Sequence, residues 1–117
     1  MKPQRWTRRQ HDRHEVFECA LLVRPKQEEV TRTIIVDIGL GGMQIRSKKR
    51  LPVGEICQVK VGRDNGVPLT IRGEVRYSNY MAESGLYASG IRYAPASHEE
   101  RLVIAAFLNS VVQERKE

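Results

Sequence analysis

Residues 33–47, TIIVDIGLGGMQIRS, hold two alternating apolar runs on either side of a turn that contains three glycines. Apolar side chains at every second position are typical of a strand with one buried face. The glycine loops of dinucleotide-binding folds and P-loops lead into a helix, whereas these glycines lead into a strand. The stretch therefore predicts two antiparallel strands joined by a tight turn. The side chains predicted to face the interior are Ile34, Val36, Ile38, Met43 and Ile45.

Four further runs alternate in the same way: VFECALLV, ICQVKV, LTIRGEVRY and LYASGIRY. DNG, at 64–66, separates two of these runs and is a strong hairpin signal. Six short strands with turns between them predict a small antiparallel β-barrel or sandwich, because closure removes exposed strand edges. The inward side chains expected from these runs include Phe17, Cys19, Leu21 and Val23, then Cys57, Val59 and Val61, then Leu69, Ile71, Val75 and Tyr77.

The C-terminal part of the chain changes from a period of two to a helical period. Ser97 and Glu100 have the S-x-x-E spacing of a capping box. Apolar residues then recur every three or four positions, at Val103, Ile104, Phe107, Leu108, Val111 and Val112. This pattern predicts an amphipathic helix over about 97–114 that packs against its own sheet.

The composition of the 117-residue chain fits one domain with a modest core. Its net charge of +6 favours an anionic partner. No apolar run approaches the roughly 20 residues needed to cross a bilayer, and the N-terminus lacks a secretory apolar region. We therefore expect no transmembrane segment and a cytoplasmic location. Cys19 and Cys57 each lie in an apolar run, which predicts buried, reduced thiols.

Four arginines precede the first strand in RWTRRQHDRHEV, at Arg5, Arg8, Arg9 and Arg13. The guanidinium group binds phosphate through a planar fork of donors and matches the O6 and N7 acceptors of guanine. A carboxylate is the natural acceptor for the N1–H and N2–H donors of guanine, and Asp37 projects from the outer face beside the glycine turn. These residue types together indicate a site for a guanine nucleotide.

The arginine segment and the glycine turn carry a family resemblance. R-x-x-x-R, at 9–13, followed roughly 25 residues later by a sequence similar to D-x-S-x-x-G, at 37–42, resembles the PilZ domain, the bacterial receptor for cyclic di-GMP. The resemblance covers nearly the whole chain. It implies a flexible arginine-rich segment at 1–14 and a PilZ-like six-stranded antiparallel β-barrel with a C-terminal α-helix at 15–117.

The resemblance implies a role for each motif residue. Arg9 and Arg13 would donate to the phosphates and to the acceptors of guanine. Asp37 would bind the Watson–Crick edge of guanine, and Gly42 would allow the ligand to approach the backbone closely. Gly39 stands at the serine of the family motif, so one side-chain hydroxyl is missing.

Two further positions concern the extent of this expected site. Arg8 lies directly before the motif. PilZ domains with an extra arginine at this position tend to bind two intercalated ligand molecules. Arg76, and with it Arg72, projects from the outer face of the barrel and could extend the site.

The function expected from the sequence is a cyclic di-GMP receptor that changes conformation and signals to an unidentified downstream protein. No nucleophile or distinguished carboxylate pair is recognisable, so we expect no enzyme and no cofactor. HDRHE, at 11–15, does not match the H-E-x-x-H spacing of a zinc site, so we expect no metal. Two alternatives stay open: a PilZ-fold interaction module that has lost its ligand, and a basic barrel that binds single-stranded nucleic acid. An aromatic content of 6% leaves few stacking platforms for nucleic acid.

Overall fold

The computed structural model describes residues 13–62 and 66–116. Its elements are the strands β1 (His14–Arg24), β2 (Glu29–Ile38), β3 (Gly42–Ser47), β4 (Ile56–Val61), β5 (Leu69–Met81) and β6 (Leu86–Tyr93), a 3₁₀ turn at Pro25–Gln27, and the helix α1 (His98–Lys116). The strands close into a barrel in the order β1-β2-β3-β6-β5-β4, with every neighbouring pair antiparallel. The predicted fold class is confirmed. Asp64 and Asn65 of the expected hairpin turn lie outside the described residues, and β4 and β5 pair as that hairpin requires.

The barrel interior is filled by alternate apolar side chains of the strands. In β3 and β4 the expected inward residues are buried: Met43, Ile45, Cys57, Val59 and Val61. Burial raises the pKa of the Cys57 thiol to about 11, with Glu55 adding to the rise and Arg24 opposing it. Cys57 is therefore buried as the sequence predicts, and its raised pKa keeps the thiol protonated.

The predicted inward face of β1 is wrong. Phe17 is 90% exposed, and Cys19 and Leu21 are exposed as well, whereas Ala20 and Leu22 are buried. Both alternating sets of β1 side chains are apolar, so the pattern alone does not select one. Pairing with β4 selects it, because Ala20 lies opposite Val61 and Leu22 opposite Val59, and both valines face the core.

A bulge in β2 changes which side chains point inward along that strand. Ile35 is fully buried and Ile34 is 38% exposed, the reverse of the expectation, while Ile38 is buried as expected. Ile35 pairs with Ile45 and Asp37 with Gln44, so Val36 is the extra residue in β2. The bulge leaves Val36 half-buried and restores the predicted outward direction of Asp37.

A second bulge, in β5, moves Tyr77 away from its predicted buried face. Val75 pairs with Ile91 and Tyr77 with Gly90, so Arg76 is the extra residue. Beyond the bulge Ser78 is buried, and Tyr77 lies on the outer face with its ring over Gly90. The hydroxyl of Tyr77 accepts a hydrogen bond of 2.8 Å from Nε2 of Gln44.

The helix begins with the expected capping interactions. The backbone N–H of Glu100 donates to Oγ of Ser97 (3.2 Å), and the Glu100 carboxylate accepts from the N–H of Ala96 (2.7 Å). Ile104, Phe107 and Val111 are buried against the barrel, where the helix contacts β5. The helix therefore packs on its own sheet as predicted, with the side chain of Val112 outside the described part.

An ion-pair cluster connects the end of β1 to the start of β2 and to the residue that precedes β4. Arg24 donates to both carboxylate oxygens of Glu55 (2.6 and 3.0 Å) and to Glu29 (2.7 Å). The hydrogen bonds to Glu55 raise the pKa of Arg24 above its usual value. Because these charges are paired with one another at the far ends of β1 and β2 from the glycine turn, they are structural and not part of the candidate site.

Candidate nucleotide-binding site

The glycine turn between β2 and β3 is hydrogen-bonded to β6. The N–H of Gly39 donates to the carbonyl oxygen of Gly42 (2.8 Å), and the N–H of Tyr93 donates to the carbonyl oxygen of Gly41 (3.0 Å). The Tyr93 hydroxyl donates to the carbonyl oxygen of Gly39 (3.0 Å). Burial raises the pKa of Tyr93 above its usual value, with Arg13 opposing the rise and Asp37 adding to it, so the phenol stays protonated and can donate.

Gly42 is required by the packing of strands. A β-carbon at this position would overlap the carbonyl oxygen of Ile91 in β6, whereas a β-carbon at Gly41 would meet nothing within 4 Å. Among the described glycines a positive φ occurs at Gly54, Gly66 and Gly85, so the turn does not need the left-handed region. The close approach expected at Gly42 is thus made by β6, and its approach to a ligand stays a prediction.

Arg13 and Asp37 form an ion pair at the mouth of the site. Nη1 of Arg13 lies 2.9 Å from Oδ1 of Asp37 and 3.4 Å from the carbonyl oxygen of Gly42. The two side chains are 44% and 31% exposed, so solvent reaches both. The pair joins the second arginine of R-x-x-x-R to the aspartate of the glycine motif, although 24 positions separate them.

A pocket of about 220 Å³ opens next to this pair. Its walls include the glycine turn, Arg13, Arg76, Tyr77, Gly90 and Arg92. Sites that enclose a whole small ligand have roughly 300 to 1,000 Å³. The pocket therefore suits one base or one phosphate group, and the rest of a dinucleotide would lie across the surrounding surface.

The structure sorts the predicted outer arginines into two groups. Arg76 lines the pocket, whereas Arg72 is used structurally, because its Nη1 donates to the carbonyl oxygen of Ala94 (2.6 Å). Arg8 and Arg9 lie outside the described residues. Within the described part, Arg13, Asp37, Gly39, Gly42 and Arg76 are thus brought to one place.

Two of the polar side chains that line this pocket, Arg92 and Tyr77, are not among the predicted site residues. Arg92 lies opposite Gly42 across the β3–β6 pairing, is 58% exposed, and donates from Nη2 to Glu74 (2.8 Å). The sequence pattern predicts a buried Tyr77, because the bulge that turns it outward has no local signature. The pattern indicates Arg92 only as part of the last strand, and the register with β3 places it on the pocket.

The described residues contain no group of three or more histidine, cysteine, aspartate or glutamate side chains that could hold a metal ion. In the same part of the chain, no helix combines the length and apolar character needed to traverse a bilayer.

Solved structures with the same fold include one protein in complex with cyclic di-GMP. The MrkH–c-di-GMP complex of K. pneumonia has a TM-score of 0.70 and 17% identity, covering 89% of this chain and 52% of MrkH. The inhibitor of motility MotI/DgrA of Bacillus subtilis has a TM-score of 0.66 and 13% identity, covering 90% of this chain and 51% of the other. The PilZ domain of CeSA from a cellulose-synthesizing bacterium has a TM-score of 0.66 and 11% identity, covering 85% of this chain and 96% of that domain.

These identities establish the fold alone, and the chain spans about half the length of MrkH and MotI. No curated protein is similar enough in sequence to match. The sequence model of the PilZ domain matches residues 7–110, which confirms the resemblance carried by the arginine and glycine motifs. The chain belongs to the PilZ domain family.

Proposed function

We propose that this chain is a receptor that binds cyclic di-GMP in the pocket beside the glycine turn and signals through a partner protein. The observation that carries the proposal is the 2.9 Å contact between Arg13 and Asp37, which brings the two halves of the expected recognition motif together. The complex of MrkH with c-di-GMP supports it, because that protein shares the fold. The cytoplasmic location expected from the sequence is part of the same proposal.

The chemistry of the pocket matches the parts of a guanine dinucleotide. Arg13 has donors left over beyond those to Asp37 and the carbonyl oxygen of Gly42, and Arg76 also lines the pocket, as does Arg92, which is paired with Glu74. Oδ2 of Asp37 and the oxygen shared with Arg13 would accept the N1–H and N2–H of guanine. The outward ring of Tyr77 offers a face on which a base could stack.

Isothermal titration calorimetry with cyclic di-GMP tests the proposal, with cyclic di-AMP as the matched ligand. Both carry two phosphates, but adenine lacks the N1–H and N2–H pair that Asp37 would accept. We expect cyclic di-GMP to bind at least about tenfold more tightly, a difference of about 1.4 kcal/mol. Equal affinities would mean that the arginines attract phosphate without reading the base.

A titration with single-stranded DNA tests the nucleic-acid alternative. The outward ring of Tyr77 favours this alternative, because it is a stacking platform that the sequence does not predict. Single-stranded DNA binding that falls steeply with salt, with no binding of cyclic di-GMP, would select that alternative. If the protein binds neither cyclic di-GMP nor single-stranded DNA, the alternative that remains is a PilZ-fold interaction module that has lost its ligand.

Arg8→Ala is expected to reduce the stoichiometry from two cyclic di-GMP molecules to one and to leave the remaining site intact. The physical reason is that a second, intercalated ligand brings a second set of phosphates, which need an additional guanidinium. Calorimetry gives the stoichiometry directly. Arg5→Ala, in the same segment but outside the motif, is the control and should keep both molecules.

Gly39→Ser is expected to tighten cyclic di-GMP binding by roughly 0.5 to 1.5 kcal/mol, because it supplies the missing hydroxyl. Gly39 is not among the described glycines with positive φ, so its backbone conformation is open to serine. The melting temperature should hold or rise, since serine also restricts the unfolded chain. Gly62→Ser, where a β-carbon meets nothing within 4 Å, controls for the general effect of the substitution. Weaker binding together with a lower melting temperature would show that the buried turn has no room for the side chain.

A further inference from the structure

The outer face of β1 and β2 is apolar although it lies outside the barrel. Phe17 is 90% exposed, Leu21 43% and Ile34 38%, and Cys19 lies opposite Ile34 on the same face. Single exposed apolar residues need no explanation, but neighbouring ones on two paired strands form a patch. A contiguous exposed apolar patch typically marks an interaction surface.

This face is concave, which distinguishes it from a flat surface. A groove of about 620 Å³ crosses it and shares no lining residue with the nucleotide pocket. It shares Ile34, Arg46 and Leu86 with a hollow of about 440 Å³, whose lining also includes Glu15 and Asp37. We call the larger hollow the β1–β2 groove. Its apolar floor and basic rim are formed chiefly by Leu21, Ile34, Leu86, Arg32, Arg46 and Lys60.

The charges on the groove are of one sign. Arg32, Arg46, Lys48 and Lys60 line it, and no carboxylate does among the described residues. Arg46 is held in place by a 2.8 Å hydrogen bond from its Nη1 to Oε1 of Gln44. A ligand that fits both features must present apolar side chains to the floor and negative charge to the rim.

We propose that the β1–β2 groove binds an acidic amphipathic helix of a partner protein. Such a helix places apolar side chains at i, i+3, i+4 and i+7 along one face, and its flanking carboxylates meet the rim. A second copy of this chain fits less well, because a twofold interface would set the same basic rim against itself. A bilayer surface is flat and would touch the rim without filling the floor.

Cys19 supplies a native reporter for the groove. It is the exposed cysteine of the pair and lines the groove, whereas Cys57 is fully buried and its raised pKa keeps its thiol protonated. A thiol reagent therefore modifies Cys19 first in the folded protein. The rate of that modification measures whether the groove is covered.

The test uses a synthetic helical peptide with leucines on one face and glutamates elsewhere, and a matched peptide in which lysines replace the glutamates. We expect the acidic peptide to slow modification of Cys19 at least about tenfold at saturation and the basic peptide to have little effect. The experiment is run without nucleotide, so its result is separate from that of the cyclic di-GMP titration.

Two sets of variants sharpen the test. Arg32→Glu combined with Lys60→Glu should reverse the preference toward the lysine peptide, whereas Lys26→Glu, on the exposed 3₁₀ turn, should not. Ile34→Asp should abolish protection, whereas Val53→Asp, at a 71% exposed apolar residue away from the groove, should preserve it. Far-UV circular dichroism checks that each variant is folded, and the charge reversal leaves the apolar floor untouched.

Four outcomes would overturn the proposal. Equal protection by both peptides would mean non-specific hydrophobic contact. Protection by phosphatidylglycerol vesicles and not by the acidic peptide would identify a membrane surface instead. Protection that rises with protein concentration alone would identify a second copy, and an unprotected Cys19 under all conditions would remove the groove as a binding site.

Discussion

Replacing Arg13 with alanine is expected to weaken cyclic di-GMP binding by about 1.5 to 3 kcal/mol, which corresponds to a rise in Kd of roughly 10- to 150-fold. The substitution removes charge-assisted hydrogen bonds to a dianionic ligand at the point where both motifs meet, 2.9 Å from Asp37. Arg13→Lys should fall between wild type and alanine, because it keeps the charge and loses the planar fork of donors. Calorimetric titration of each variant with cyclic di-GMP measures the difference.

Asp37→Asn separates base recognition from simple charge balance. If Asp37 accepts the guanine N1–H and N2–H, the amide should weaken binding, because its NH₂ group opposes one of the two donors. If Asp37 only neutralises Arg13, the substitution should free the guanidinium and tighten binding, and the proposed role of the carboxylate would be wrong. Arg50→Ala, an exposed arginine that is not part of the pocket, is the control and should bind like the wild type.

Replacing Gly42 with alanine is expected to destabilise the barrel by about 1 to 3 kcal/mol. The added β-carbon would overlap the carbonyl oxygen of Ile91 and lie 3.1 Å from the α-carbon of Arg92, both of which are backbone atoms that cannot rotate away. β3 would have to separate from β6 at the pairing that places Arg92 on the pocket. Thermal and denaturant unfolding measure the loss of stability.

Gly41→Ala is the matched control, one residue earlier in the same turn. Its β-carbon meets nothing within 4 Å and its φ is not positive, so the change should stay within about 0.5 kcal/mol. Equal destabilisation by both substitutions would show that the turn requires glycine flexibility, and not that β6 crowds Gly42. Loss of cyclic di-GMP binding in Gly42→Ala at a temperature where the variant is still folded would show that the pairing with β6 also shapes the site.

Local patterns in the sequence are sufficient to predict the elements of the fold and the two parts of the motif. Period-two patterning located six strands, and the Ser97–Glu100 spacing located the start of the helix, because both signals arise from neighbours along the chain. The two motifs were visible for the same reason, since each occupies a few consecutive positions. The sequence therefore indicates that Arg13 and Asp37 belong to one site, and in the structure they lie 2.9 Å apart.

The inward face of β1 and the alternation along β2 and β5 depend on contacts between strands, whereas the inward residues of β3 and β4 follow the sequence pattern. β1 is apolar on both faces, and its pairing with β4 selected Ala20 and Leu22 for the core and left Phe17 outside. The bulges at Val36 and Arg76 reversed the alternation, which kept Asp37 outward and moved Tyr77 into the pocket wall. Register and bulges depend on pairing between residues distant in sequence, so a local period cannot encode them. The same long-range pairing brought Arg92 to the site and left an apolar, basic-rimmed groove on the outside of the barrel.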